Sequence, residues 1–104
     1  MSFAIYLDEA SLGHNPTPGH PERPARFEAA VRRLSEPDFA SLPRRTAQLA
    51  KRETIELAHT KDYVDLILGA ERQDAIIMLD GDTSIGPGST EAILKAVGAG
   101  VDAL

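Results

Sequence analysis

The sequence predicts an α/β fold, and three observations carry that expectation. Short apolar runs at 3–7, 46–50 and 75–79 stop at charged or turn residues, as brief strands do. Stretches at 22–34, 61–70 and from 89 onward repeat apolar residues every three or four positions, as amphipathic helices do. Proline and glycine mark the boundaries between them. The order is strand, helix, strand, then three helices, with 75–79 as a third strand candidate.

Residues 3–7 read as a buried first strand that ends at Asp8-Glu9. A Gly-, Pro- and Asn-rich loop carries His14 into Gly19-His20-Pro21-Glu22-Arg23-Pro24-Ala25-Arg26-Phe27. Prolines 18, 21 and 24 fix φ and stiffen the loop, and Pro24 suits the first turn of a helix, where its missing N–H costs nothing. That helix places Phe27, Val31 and Leu34 on one apolar stripe, with Arg32 and Arg33 at the end the helix dipole favours for cations. Pro37 blocks its continuation. The corner reads either as the wall of a site or as a well-made turn with solvated charges.

Residues 46–50 form the second strand candidate, and 53–58 a helical turn or two. Thr60 is a good N-cap for a helix over 61–70, on which Tyr63, Ile67 and Ala70 share a face. A long polar loop follows at 80–88. Ser89 or Thr90 is the expected cap of the last helix, which carries Ile93, Val97, Val101 and Leu104 on one side. Ala96, Gly98, Ala99 and Gly100 make it small-sided, as close packing requires. The pattern breaks off in mid-helix with two or three strands visible, too few for a covered parallel sheet, which suggests part of a larger body.

With 42% hydrophobic and 26% charged residues in 104, the chain is ordinary single-domain material. A net charge of −5 with scattered basic residues argues against a nucleic-acid surface. The absence of cysteine excludes disulfides and thiolate zinc sites. No apolar run reaches the ~18 residues that span a membrane, and the first residues lack the pattern of a signal peptide, so a cytoplasmic location is expected.

His14, His20 and His59 match no tight metal-ligand spacing, and each reads first as a hydrogen-bonding residue. Asp80-Gly81-Asp82 does not continue as a calcium loop. Gly86-Pro87-Gly88-Ser89-Thr90 could hold an anion through free N–H groups, or be a simple capped loop, since it lacks the lysine and spacing of a phosphate-binding loop. Local patterns contain no complete catalytic constellation.

The blocks Gly19-His20-Pro21-Glu22-Arg23-Pro24-Ala25-Arg26, Leu57-Ala58-His59-Thr60-Lys61-Asp62-Tyr63-Val64, Asp82-Thr83 with Gly88-Ser89, and Ala96-Val97-Gly98-Ala99-Gly100 together resemble the N-terminal third of the zinc-dependent histone deacetylase family. The nearer relatives would be bacterial class II-like deacetylases, acetylpolyamine amidohydrolases and acetoin-utilisation proteins. The resemblance implies the first part of an arginase/deacetylase-like three-layer fold with a parallel sheet, 1–104 being the N-terminal portion of a deacetylase domain. It implies hydrolysis of the acetyl amide of acetyl-lysine or acetylpolyamine substrates by a zinc-polarised carbonyl and an activated water. The zinc ligands and catalytic histidines of that family fall in its later segments, so no catalytic or metal residue is assigned here, and this chain alone is expected to be inactive and to bind no zinc.

Two residues take roles from the resemblance. Arg26 matches an arginine of an internal channel that handles acetate, a task suited to a bidentate, always-charged donor. Asp82 resembles a substrate-binding rim aspartate, with Asp80 as the competing choice. His20 and Glu22 are expected to brace the rim loop, and His59 and Tyr63 to be structural, the tyrosine buried. The implied partner is an acetylated amine, protein or small molecule. Neither nucleic acid nor membrane is implied, and exposed sheet edge and helix faces make self-association an expectation. The alternative is a short non-catalytic interaction module derived from the same fold.

Overall fold

The computed structural model describes residues 2–104. Strand β1 (Ile5–Tyr6) pairs in parallel with β2 (Arg44–Arg45). The N–H groups of Ile5 and Leu7 donate to the carbonyls of Pro43 and Arg45 at 2.9 and 3.1 Å. A parallel pair needs a crossover, supplied here by the 3-10 turn Glu9–Gly13, the proline-rich loop and α1 (Pro24–Leu34). After β2 come α2 (Arg52–Ile55), α3 (Lys61–Leu68), the antiparallel hairpin β3 (Ile77–Met78) and β4 (Ser84–Ile85), and α4 (Ser89–Asp102). The mixed helix and strand order and the parallel pair agree with the expected α/β class.

The helices form where sequence chemistry places them. Pro24 opens α1 after an extended Arg23, and the Ser35 hydroxyl donates back to the Val31 carbonyl at its end. The Thr60 hydroxyl accepts the Tyr63 N–H at 3.2 Å and caps α3. That helix stops at Leu68, before Gly69, two residues short of the expected end.

Three expectations need correction. The second strand lies at Arg44–Arg45, not 46–50. The Arg44 guanidinium explains the placement: it donates to the Leu42 carbonyl at 2.7 Å and to the Leu34 carbonyl at the end of α1, so this charged pair is tied to structure on one side. Residues 46–50 run instead along α4, where the Ala50 N–H donates to the Leu94 carbonyl at 3.0 Å. The first strand is only half buried, with Phe3 66% exposed. And Ser84–Ile85, inside the expected polar loop, forms a buried strand because the hairpin turn folds it back onto β3.

Helix α4 is the long element, and its small side is used. A Cβ at Gly98 would lie 1.8 Å from the Gln48 carbonyl oxygen, so helix and loop backbones are in direct contact. Ile93 and Val97 face the same cleft as Val64 and Ile85, whereas Val101 and Leu104 at the end of the stripe are exposed. Among the described residues the buried hydrophobic core consists of Ala47, Val64, Ile85 and Ala92. The radius of gyration is 15.1 Å, against about 13 Å for a compact chain of this length.

The contact at Gly98 yields a paired test. Gly98→Ala should lower the urea midpoint by an amount equivalent to about 3 kcal/mol, the upper range for overpacking, because the obstacle is backbone. Gly100→Ala meets nothing within 4 Å and should raise it by up to about 1 kcal/mol through helix propensity.

Candidate functional site

The proline-rich loop, the hairpin turn and the start of α4 converge on one cluster of polar side chains. The turn is built by Asp80. Its Oδ1 accepts the N–H groups of Asp82 and Thr83 at 2.8 and 2.7 Å, and those bonds hold its carboxyl below the usual carboxylate range. Asp80 is therefore committed to its own turn. Asp82, two residues on, projects outward with its side chain 89% exposed.

His20 reaches across from the proline loop to hold Asp82. Its Nε2 lies 2.9 Å from Oδ1 and 3.0 Å from the main-chain oxygen of Asp82. Its Nδ1 accepts the Glu22 N–H at 2.9 Å. The bond to the Asp82 carboxylate raises the His20 pKa above its ordinary value. The Glu22 carboxylate approaches His14 Nε2 at 3.4 Å, and His14 Nδ1 meets the hydroxyl of Ser89 at 2.8 Å. Glu22 and His20 thus brace the loop as expected. Ser89 and His14, 75 residues apart, extend the brace to α4 through a contact that no local pattern signals.

The start of α4 differs from its expected form. Gly88, at φ 90°, is the N-cap, and Ser89 is the first helical residue. The Ser89 hydroxyl is fully buried and accepts the Gly86 N–H at 2.9 Å. Glu71 supplies the charge complement: its Oε1 accepts the Thr90 N–H at 2.8 Å, and this bond lowers its pKa. The anion position suggested by Gly86-Pro87-Gly88-Ser89-Thr90 is thus served by the chain's own carboxylate.

Asp82 and Arg26 are not brought together. Asp82 and Thr83 line a cleft of about 340 Å³ whose wall includes Ile55, Val64, Ile93 and Val97. Arg26 lines a separate cleft of about 300 Å³ with Ser11, Arg23 and Phe27. His14 and Glu22 belong to both and form the partition. The Arg26 side chain is exposed at that second cleft and makes no ion pair among the described residues. His59 and Tyr63 line the first cleft with ring centroids 5.2 Å apart. Tyr63 is 48% exposed, against the expectation that it is buried, because the neighbouring Val64 takes the inward position on α3.

Among the described residues no group of three His, Asp or Glu side chains is placed to hold a metal ion. His14 and His20 are engaged with Ser89, Glu22 and Asp82, so the residues present do not fit a zinc centre. Among the described residues no helix is long and apolar enough to cross a membrane.

A family model described as the histone deacetylase domain matches residues 20–104. The crystal structure of the HDA15 HD domain superposes with a TM-score of 0.76 at 23% identity, covering 96% of this chain and 30% of that chain. The likeness is one of fold, and the chain spans under a third of the length of the solved domain it matches. No curated protein matches it.

The Glu71 contact predicts a pH signature. Its carboxyl pKa is lowered on folding, so its stabilisation is present above the ordinary value of 4.5 and is lost as pH falls through the lower folded value. At pH 7, Glu71→Gln, which keeps an accepting oxygen but removes the charge, should cost about 0.5 kcal/mol, the worth of a carboxylate at a helix N-terminus. Thermal melts should show that gap closing on acidification.

Proposed function

Because the chain belongs to the histone deacetylase family, we propose that it furnishes the N-terminal portion of a zinc-dependent deacetylase, acting on the acetyl amide of acetyl-lysine or an acetylpolyamine. In this reading Asp82 binds substrate at the pocket rim and Arg26 serves the channel that handles acetate. The observation that carries it is the division of labour on the hairpin turn: Asp80 is spent on backbone N–H groups, while Asp82 offers an outward carboxylate. Such a carboxylate suits the N–H groups of an amide-bearing substrate. The uncommitted Arg26 guanidinium, one partition away, suits a small carboxylate product.

No catalytic step is assigned to this chain, since among the described residues no three His, Asp or Glu side chains are placed to hold a metal ion. In this reading zinc and the acid/base residues belong to other parts of the domain, and the location is cytoplasmic. The chain incubated with zinc and a fluorogenic acetyl-lysine substrate should give no turnover; hydrolysis above buffer would refute the assignment. In the complete domain, Asp82→Asn should raise KM about tenfold, the worth of one hydrogen bond to a charged group. Asp80→Asn should act chiefly on stability.

The isolated chain should also self-associate. Leu57, Leu66 and Met78 are exposed at 87%, 57% and 49%, and unpartnered apolar surface of this kind drives association. Light scattering across a concentration series should show mass rising above that of the monomer.

A further inference from the structure

Asp82 is more exposed than His14, His20 or Glu22, and an exposed carboxylate on a turn has many rotamers. One side chain restricts it. We propose that His20 is the positioning residue for Asp82, held in a single tautomer and aiming that carboxylate at the cleft. This inference rests on the reading of Asp82 as a substrate-binding group and assigns a role to a residue 62 positions away in sequence.

The tautomer follows from the partners. The Glu22 backbone nitrogen is a donor, so the His20 Nδ1 that it meets at 2.9 Å carries no proton. The remaining nitrogen, Nε2, then bears the hydrogen. It faces two acceptors of the same residue, the main-chain oxygen and the carboxylate Oδ1 of Asp82 at 3.0 and 2.9 Å. A shared bond of this kind fixes both the backbone of the turn and the rotamer of the side chain. It leaves the second carboxylate oxygen free for substrate.

The ring is itself held. Its side chain is 18% exposed against 89% for Asp82, so the donor is the ordered partner and the carboxylate the guided one. The charged and titratable groups facing His20 are Asp82 and Glu22, with His14 behind Glu22. Asp80 is occupied by the backbone of its turn. Protonation of His20 would leave the Nε2 bond in place and would set the new Nδ1–H against the Glu22 N–H. The contact to Asp82 therefore survives the histidine's titration, and its tautomeric preference comes from Glu22.

Two measurements test this. On the unaltered chain, long-range nitrogen–proton NMR at alkaline pH should show His20 protonated at Nε2. A ring protonated at Nδ1 would overturn the proposal without any variant having to fold. In the complete domain, His20→Phe should raise KM for an acetyl-lysine peptide about tenfold with kcat within about twofold, as loss of one charge-assisted bond implies. His20→Gln, which restores a donor near the Nε2 position, should recover most of the loss. The double variant with Asp82→Ala should be no worse than Asp82→Ala alone. If Asp82→Ala raises KM while His20→Phe leaves it unchanged, positioning is refuted and the role of Asp82 stands. If Asp82→Ala leaves KM unchanged, the substrate-binding reading falls, and this inference with it.

Discussion

The direct approach of α4 to the loop at 46–50 is the constraint on which the remaining structure depends. At Gly98 the space for a side chain is filled by the Gln48 carbonyl. On either side of that point polar bonds tie α4 to this loop and to the first residues of the chain. Lys95 donates to the Ala47 carbonyl at 2.7 Å and approaches the Asp8 carboxylate at 3.3 Å. The Gln48 N–H donates to the Asp102 carboxylate at 2.9 Å, and the Tyr6 hydroxyl to the Asp102 carbonyl at 3.1 Å. With so few apolar residues fully buried, this seam does what a larger core would do elsewhere: it holds β1, the loop and the last helix in one frame.

The opposite end of α4 transmits that frame to the candidate site. Ser89 is anchored beneath the hairpin by Gly86 and touches His14; His14 meets Glu22; the Glu22 N–H meets His20; and His20 meets Asp82. Hydrogen-bonded chains of this kind orient each member through the next. The exposed carboxylate is thereby referenced to a buried helix start as well as to the turn that Asp80 builds.

Much of the helical framework was legible in the sequence because helix signals are local. Pro24 before an apolar stripe and Thr60 before Lys61-Asp62-Tyr63 announce their helices with side chains that act within four residues. The strands were harder. Arg44-Arg45 looks like solvent-facing charge, and only its bonds to the end of α1 and its pairing with β1 make it a strand. Ser84-Ile85 is masked by a polar loop and becomes buried through a hairpin of which the apolar run at 75–79 announces only the first arm. The same divide holds for the site. A family resemblance could nominate Asp82 and Arg26 by position. It could not tell that Asp80 is consumed by its own turn, nor that Ser89 serves His14 in place of the expected cap. Those facts depend on contacts between residues far apart in the chain.

The meeting of the turn at Glu9–Gly13 with the start of α4 has a different consequence. A Cβ at Gly88 would stand 2.9 Å from the Gly13 oxygen, and one at Gly13 would stand 3.1 Å from the Gly88 oxygen. Each glycine's absent carbon is the room the other's main chain occupies, so the two sites behave as a single lock with two keyholes. A side chain at Gly13 could enter only if the Gly88 main chain gave way by a few tenths of an ångström, whereas at Gly88 the positive φ opposes any side chain whatever room Gly13 leaves.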